Sequence, residues 1–256
     1  MPRPERRREP AAGTAGIDAG EVARFAAMAA RWWDPEGEAR PLHHLMPARL
    51  SYIRDRGCAH FGRDPRSLRP FAGLAAVDVG CGGGLVTEPL ARLGATVMGI
   101  DAAKAAIRVA RAHAREADLT IAYRTTTAER LAARGARFDL VLCLEVIEHV
   151  PDAGALAQAL AKLVAPGGGL VLATLNRTPK SYALAIVGAE YILRWLPRGT
   201  HRWDRFVRPA ELAGYLRAAG LVLQDISGVS LDLGTGDWRL SGDPSVNYMA
   251  FAARPA

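Results

Sequence analysis

The chain has few cysteines and few lysines, and none of its apolar runs is long enough to span a bilayer. Its three cysteines, Cys58, Cys81 and Cys143, are far apart and form no C-x-x-C pair. This pattern argues against a disulfide framework or a zinc knuckle and is typical of a reducing compartment. The formal charge of +7 comes mostly from scattered arginines, so charge alone does not choose between a nucleic acid and an anionic surface as partner.

The N-terminal region has no apolar segment of the secretory type, which leads us to expect a cytoplasmic protein. Residues 1–18 are rich in Arg, Pro, Ala and Gly without hydrophobic periodicity, and they predict a disordered tail. Residues 19–70 carry apolar residues at helical spacing from Glu21 and again after Pro47. They therefore predict an N-terminal helical appendage.

Residues 71–256 predict a single α/β domain, because short β-type runs alternate with helical patterns. The predicted strands are Ala75–Val79, Thr96–Ile100, Thr120–Tyr123, Phe138–Leu142, Gly169–Thr174, Val222–Ile226 and Asn247–Ala252. The predicted helices are Leu85–Leu93, Lys104–Glu116, Ala153–Val164, Ser181–Leu196 and Pro209–Ala219. The fold expected from this order is a Rossmann-like, doubly wound sheet of seven strands, mostly parallel, with an antiparallel last strand.

A glycine-rich loop follows the first predicted strand. Asp78 precedes Gly80, Gly82 and Gly84, and these glycines let the backbone turn sharply and approach a ligand with no Cβ in the way. A dinucleotide fingerprint, G-x-G-x-x-G, needs a third glycine where Leu85 stands. This disfavours a nicotinamide oxidoreductase. The loop instead resembles the first motif of class I methyltransferases, which lies against the methionine part of S-adenosylmethionine.

The second predicted strand ends at Asp101, about 20 residues after the loop. An ionised carboxylate accepts two hydrogen bonds and so suits a ribose diol. Asp101 could equally cap the helix that starts near Ala103. Glu129, after the third strand, is a weaker candidate for the adenine end of the cofactor, since surface glutamates are common.

An acidic cluster follows the fourth strand, at the edge of the sheet where the glycine loop is expected. If residues 145–149 form a helical turn, Glu145 meets Glu148 and His149 on one face. Such a set could hold Mg²⁺ or Zn²⁺ and, with Glu145 and His149 as catalytic residues, favour the phenolate of a substrate whose pKa is near 10. The alternative is that the glutamates are solvated and His149 caps a turn.

Residues 177–208 predict an apolar and basic insertion. The 181–196 segment is apolar almost all round and is too short to span a bilayer. Arg177 and Lys180 precede it, and four arginines follow it, at 198, 202, 205 and 208. Such a segment is either buried in the fold or docked on an apolar surface. Its basic flanks suit an anionic membrane, and residues 180–208 are therefore the expected membrane contact.

Several blocks together resemble the family of ubiquinone biosynthesis O-methyltransferases, from about residue 20 to the end of the chain. The glycine loop alone indicates only the superfamily. The blocks that narrow it are W-W-D at 32–34, G-A-E-Y-I-L at 188–193 and N-Y-M at 247–249. The resemblance also includes P-L-H at 41–43, P-A-R-L at 47–50, E-V-I-E-H-V at 145–150, T-L-N-R at 174–177 and P-R-G-T-H at 197–201.

The resemblance implies methylation of ring hydroxyls at two steps, on a polyprenyl catechol-like intermediate and on demethylubiquinol. It implies cofactor contacts from Arg49, Gly80, Asp101 and the backbone near Leu144, and a guanidinium suits the cofactor carboxylate. It also implies a divalent metal at the E-x-x-E-H block in some relatives, a peripheral membrane location at the inner face, and other ubiquinone-biosynthesis proteins as partners. His43 is a further candidate base, with a packing role as the alternative.

Two other functions share this fold. A small-molecule or RNA methyltransferase with a different acceptor would use the same loop and the same acid after the second strand. The sequence contains no recognition-helix or aromatic-sheet motif of the usual nucleic-acid-binding kinds, so no nucleic-acid partner is expected.

Overall fold

The computed structural model describes residues 20, 23, 32–37, 40–192, 202–232 and 234–256. The predicted tail at 1–18 and most of the helix expected after Glu21 lie outside these residues. So do residues 193–201 of the predicted apolar and basic insertion, among them Arg198.

In the described part of the chain, eight strands form one mixed sheet, which confirms the predicted fold class. The strands are β1 (Ala75–Val79), β2 (Thr96–Asp101), β3 (Ala122–Thr125), β4 (Phe138–Leu144), β5 (Val164–Leu175), β6 (Val222–Leu231), β7 (Trp238–Ser241) and β8 (Asn247–Ala253). Their order across the sheet is β3-β2-β1-β4-β5-β8-β6-β7. β1 to β5 are mutually parallel, and β8 runs antiparallel between β5 and β6.

Helices cover both faces of the sheet. They are α1 (Arg40–Phe61), α2 (Thr87–Arg92), α3 (Lys104–Glu116), α4 (Ala128–Ala133), α5 (Ala153–Leu163) and α6 (Pro209–Ala218). One core cluster joins α4, α5 and α6 to the sheet, and a second joins α1 and α2 to it. Along β4 the side chains alternate between these clusters, with Val141 in the first and Leu140 and Leu142 in the second. This alternation explains why β4 is continuously apolar from residue 140 to residue 144.

The structure departs from the sequence prediction in its strand count and in two helices. The sheet has eight strands rather than seven, because Trp238–Ser241 pairs with the extended end of β6. The helix Ala128–Ala133 was not predicted, since six residues show too little periodicity, although Thr127 caps it by accepting a hydrogen bond from the Arg130 N–H. α1 begins before Pro47 and contains it.

The predicted helix over 181–196 takes a different form. A single α-helical turn, Pro179–Ser181, leads into a π-helical segment over Tyr182–Ile192. A π-helix pairs residues five apart, and an almost uniformly apolar sequence has no periodicity that would distinguish it from an α-helix.

A buried hydroxyl–carboxylate contact anchors α1 to the sheet. The Tyr52 hydroxyl donates to Asp225 Oδ2 on β6 at 2.8 Å. Arg56, one turn further along α1, pairs with the other oxygen of Asp225 at 2.9 Å. Ser227 Oγ also donates to Asp225, at 2.9 Å. α1 is therefore held by one carboxylate that is satisfied on both oxygens.

We expect Tyr52→Phe to lower the free energy of unfolding by about 1.5 kcal/mol, since it removes a buried hydrogen bond to a charged acceptor. Urea unfolding followed by circular dichroism measures the change. Tyr215→Phe is the control, because the Tyr215 hydroxyl makes no hydrogen bond among the described residues. Equal losses in both variants would contradict this role of Tyr52.

Candidate active site

The loop between β1 and α2 contains three residues in a left-handed backbone conformation that glycine alone adopts readily. Gly80, Gly82 and Gly84 have φ angles of 74°, 53° and 96°, in the left-handed region. The amide groups of Gly80 and Cys81 both donate to the carbonyl of Ile100, at 2.8 and 3.0 Å. These two hydrogen bonds attach the loop to the carboxyl end of β2.

The space that a Cβ would take at these glycines is filled by other side chains of the protein. A Cβ on Gly80 would overlap Val146, and one on Gly82 would overlap the indole of Trp32. A Cβ on Gly84 would overlap the Tyr123 hydroxyl. The glycines thus permit the bends and the close packing of protein groups, whereas the sequence analysis attributed their missing Cβ atoms to the approach of a ligand.

Residues 32–37 cover this loop. The Trp32 side chain is buried against Gly82 and Gly83, and the Trp33 indole N–H donates to the Gly83 carbonyl at 2.9 Å. His43 Nε2 lies 3.0 Å from the Trp32 carbonyl. A carbonyl can only accept, so Nε2 carries the proton in this contact. His43 is therefore hydrogen-bonded to the segment 32–37 that covers the loop. This contact matches the packing role considered as the alternative to a catalytic role.

Asp101 stands at the carboxyl end of β2 beside the loop. Its Oδ2 accepts from the Gly82 N–H at 3.0 Å, and its Oδ1 accepts from the Ala103 N–H at 2.7 Å. The second contact is a local turn two residues long and not the helix cap considered as the alternative, because α3 has Ala103 at its N-cap and no side-chain capping hydrogen bond. A carboxylate has about four acceptor positions, so these two contacts leave acceptor capacity for a sugar hydroxyl. Burial raises the pKa of Asp101.

Glu129 lies in the first turn of α4 and is half-buried. The loop before α4 is hydrogen-bonded to the end of β2, since the Thr126 N–H donates to the Asp101 carbonyl at 3.0 Å. Glu129 thus lies after β3, the strand next to β2, and its adenine role stays a prediction.

Asp78 is buried beneath the loop, with 3% of its surface exposed. Thr87 Oγ1 donates to its Oδ2 at 2.6 Å, which connects the end of β1 to the first residue of α2. Burial, reinforced by the nearby charge of Asp101, raises the pKa of Asp78 to about 6. Asp78 therefore stabilises the loop by linking its two ends, β1 and α2, through Thr87.

Leu144, the last residue of β4, pairs with Ala173 of β5, and Glu145 follows in a left-handed conformation with φ of 54°. This conformation is strained for a residue with a side chain and is commonest at functional sites. The Glu145 N–H donates to the Ala173 carbonyl at 2.9 Å. The Glu145 carboxylate pairs with Arg49 of α1, whose side chain is only 5% exposed.

Glu148 is a second buried carboxyl group near the end of β4, 3% exposed. Thr174 Oγ1 donates to its Oε2 at 2.9 Å, while its Oε1 has no hydrogen-bond partner among the described residues. Burial, and then the negative charge of Glu145, raise the pKa of Glu148 well above its ordinary value. His149 is half-buried, and its backbone N–H donates to the Val146 carbonyl at 2.9 Å.

The metal site predicted from Glu145, Glu148 and His149 is not formed. Over the described ranges, no group of three His, Cys, Asp or Glu side chains is arranged to hold a metal ion. The prediction required a helical turn from Glu145 to His149, but Glu145 is left-handed and the turn starts only at Ile147. Glu145 is instead drawn to Arg49. These residues do not fit a metal in this arrangement, and no catalytic step is assigned to one.

The whole chain is similar to curated proteins named ubiquinone biosynthesis O-methyltransferase. The relative from Azorhizobium caulinodans is 53% identical over 94% of this chain and 95% of its own length. The relative from Parvibaculum lavamentivorans is 54% identical over 95% of this chain and 96% of its own. The chain belongs to the ubiquinone biosynthesis O-methyltransferase family. The family model described as a methyltransferase domain matches residues 77–172 of this family member, from β1 into β5.

Solved structures support the fold of this methyltransferase. A magnesium protoporphyrin IX methyltransferase from Synechocystis with bound SAH has a TM-score of 0.62 and 20% identity, over 92% of this chain and 93% of that chain. A S-adenosylmethionine-dependent methyltransferase from Clostridium acetobutylicum has a TM-score of 0.58 and 11% identity, over 91% of this chain and 99% of that chain.

Sequence reasoning missed three features of this methyltransferase site. The Trp-Trp-Asp block was noticed as a family signature, but its contact with the glycine loop, 50 residues later, leaves no local signal. The pairing of Arg49 with Glu145 spans 96 residues and was equally invisible. Thr87 was also missed, although a hydroxyl directly after a glycine loop could have indicated a partner for Asp78.

The raised pKa of Asp78 predicts a pH-dependent stability difference. In the unfolded chain Asp78 ionises near pH 3.8, but in the folded protein it ionises near pH 6. The unfolded state therefore loses its proton first, and the contribution of Asp78 to the free energy of unfolding falls as pH rises between these values. Asp78→Asn lacks this ionisation, while its amide oxygen can still accept from Thr87.

The stability advantage of Asp78→Asn over the wild type should grow by about 2 kcal/mol between pH 4.5 and pH 7.5. Urea unfolding at both pH values measures it. The exposed Asp237→Asn serves as the control and should show no such growth. A constant difference for Asp78→Asn would mean that Asp78 is ionised in the folded protein throughout this range.

Proposed function

We propose that the chain is an S-adenosylmethionine-dependent O-methyltransferase that methylates ring hydroxyls at two steps of ubiquinone biosynthesis. The substrates would be a polyprenyl catechol-like phenol and demethylubiquinol. The observation that carries the proposal is 52–54% identity to relatives of that name over more than nine-tenths of both chains. At such identity and coverage, a change of reaction class would need a change in the site itself, and the loop and acids described above are present.

The cofactor residues follow from what each group can bind. The buried guanidinium of Arg49 suits the carboxylate of S-adenosylmethionine, and the open acceptor positions of Asp101 suit its ribose hydroxyls. Gly80 follows β1 and Leu144 ends the neighbouring strand β4, so their backbones would contact the cofactor between its carboxylate and its ribose. The remaining assigned residues are Asp78, Gly82 and Gly84, which shape the loop, and Glu129 for the adenine. The bound cofactor supplies a methyl group activated by a sulfonium.

His149 is the proposed general base. Its neutral imidazole would accept the proton of the ring hydroxyl while the ring oxygen bonds to the methyl carbon. The electron pair of the breaking carbon–sulfur bond goes to sulfur, so the products are an aryl methyl ether, S-adenosylhomocysteine and a protonated His149. Glu145, paired with Arg49, would orient groups at the same strand end. Proton removal is needed because a phenol with a pKa near 10 is a poor nucleophile at neutral pH.

The full chain should transfer label from S-adenosylmethionine to short-chain catechol and demethylubiquinol analogues. His149→Gln should lower kcat by about 10²- to 10⁴-fold, the usual contribution of a general base. His44→Gln, an exposed histidine on α1, is the control and should keep full activity. Equal activity in both variants would remove His149 from the mechanism.

Two arms of the same assay test the alternatives. Label transfer to RNA or to a non-prenylated small molecule in preference to the quinol analogues would replace the proposed substrate. Loss of activity with EDTA would restore the metal site that the geometry does not form.

We also propose that the 177–208 region docks peripherally on the inner, anionic face of a membrane, where polyprenyl substrates and other ubiquinone-biosynthesis proteins reside. Tyr182, Leu184 and Val187 expose apolar side chains on the π-helical segment, Leu184 by 54%. Lys180, Arg202 and Arg205 lie on either side of it in sequence. Exposed apolar groups with basic flanks are the features of interfacial helices. No helix in the described part of the chain is long and apolar enough to cross a bilayer.

Leu184→Asp should weaken co-sedimentation with phosphatidylglycerol-containing vesicles by about tenfold or more, because it places a negative charge on the docking face. Leu68→Asp is the matched control, since Leu68 is 90% exposed on a loop far along the chain from the segment. If the wild type does not sediment with the vesicles, or if both variants lose binding equally, the segment is not the docking site.

A further inference from the structure

The Trp33 side chain contacts both the glycine loop and helix α3. Its indole N–H donates to the Gly83 carbonyl at 2.9 Å. Its ring stacks on the imidazole of His113, with centroids 3.5 Å apart and an interplanar angle of 3°. Trp33 therefore joins the loop to the last turn of α3, a helix that begins three residues after Asp101.

His113 is itself fixed from behind. Its Nδ1 lies 2.7 Å from Glu88 Oε1, and the Glu88 side chain is only 2% exposed. Glu88 is in the first turn of α2, the helix that the glycine loop opens. A buried carboxylate needs a partner, so this contact fixes the imidazole in one orientation. Trp33, His113 and Glu88, here called the loop clamp, connect the cover, α3 and α2.

The loop clamp affects binding because ordering the glycine loop costs conformational entropy. Glycines lose more backbone freedom on ordering than any other residue, and three of them here adopt left-handed angles. If that freedom were lost only when a ligand binds, the cost would be subtracted from the affinity. A loop ordered beforehand avoids the cost, which is the general advantage of preorganisation.

We infer that Trp33 and His113 are positioning residues for the cofactor: Glu88 orients His113, His113 holds Trp33, and Trp33 fixes the glycine loop in its binding conformation. The inference rests on the proposed function in that the ligand of the loop is S-adenosylmethionine. It adds residues that act through the loop. Neither Trp33 nor His113 needs to touch the reacting atoms.

The test measures S-adenosylhomocysteine binding to the full chain by calorimetry, together with the KM for S-adenosylmethionine and kcat. Trp33→Phe keeps a ring for stacking but loses the hydrogen bond to Gly83, and it should weaken binding about three- to tenfold. His113→Ala removes the stack and the Glu88 contact, and it should weaken binding about tenfold. For both variants, kcat at saturating cofactor should stay within about twofold of the wild type, because chemistry is untouched.

His113→Phe retains an aromatic ring and should recover part of the affinity lost in His113→Ala. His60→Ala is the matched control, because His60 also makes ring contacts and one hydrogen bond to a backbone carbonyl, that of Gly167. Gly167 lies near the amino end of β5, whereas the glycine loop follows the carboxyl end of β1. His60→Ala should bind as the wild type does. Thermal unfolding accompanies each variant, so a general loss of structure is separated from a loss of affinity.

The double variant Trp33→Phe with His113→Ala should lose less than the product of the two single losses, since both act through one contact. Unchanged affinity in the single variants, or a fall in kcat with unchanged KM, overturns the inference. Binding needs no acceptor, so a wrong acceptor would defeat the proposed substrate and leave the clamp intact. Absence of any S-adenosylhomocysteine binding by the folded wild type would defeat the proposed function itself.

Discussion

The left-handed bend of the loop between β1 and α2 is the constraint on which the rest of the site depends. It returns the chain sharply enough for two amide groups to donate to one carbonyl, that of Ile100, and so joins two strand ends. The same bend places the Gly82 N–H on Asp101 and the Gly83 carbonyl under Trp33. A side chain at Gly80, Gly82 or Gly84 would disturb both the backbone angle and the packed neighbour. The glycines are thus fixed by the protein's own packing before any ligand is considered.

Around this bend the protein collects carboxyl groups with little access to water. Asp78 and Glu148 are both about 3% exposed, and burial raises the pKa of each. Such groups cost folding free energy when ionised, and proteins keep them chiefly where binding or catalysis requires them. The one buried guanidinium described in this neighbourhood, Arg49, is paired with Glu145. A carboxylate ligand at Arg49 would therefore compete with a carboxylate of the protein itself, which links cofactor binding to the position of Glu145.

The sequence was sufficient for those parts that local patterns encode. Residues 140–144 of β4 are a continuous apolar run, and Asp101 lies at the carboxyl end of β2, so both could be predicted. The turn of Glu145 could not, because the apparent i, i+3, i+4 spacing of Glu145, Glu148 and His149 is meaningful only in a helix, and a positive φ has no signature in a glutamate. Contacts between distant segments, such as Tyr52 with Asp225, depend on how α1 packs and leave no local trace. The family blocks located the important segments without indicating which atoms meet.

The position of β8 has a consequence for how the sheet folds. This strand is buried at all seven of its residues and lies between β5 and β6, although it follows both of them along the chain. β5 and β6 therefore do not pair with each other, and their facing edges stay unpaired until β8 enters between them. A folding intermediate without β8 would expose two strand edges in the middle of the future sheet, and such edges readily pair with other chains.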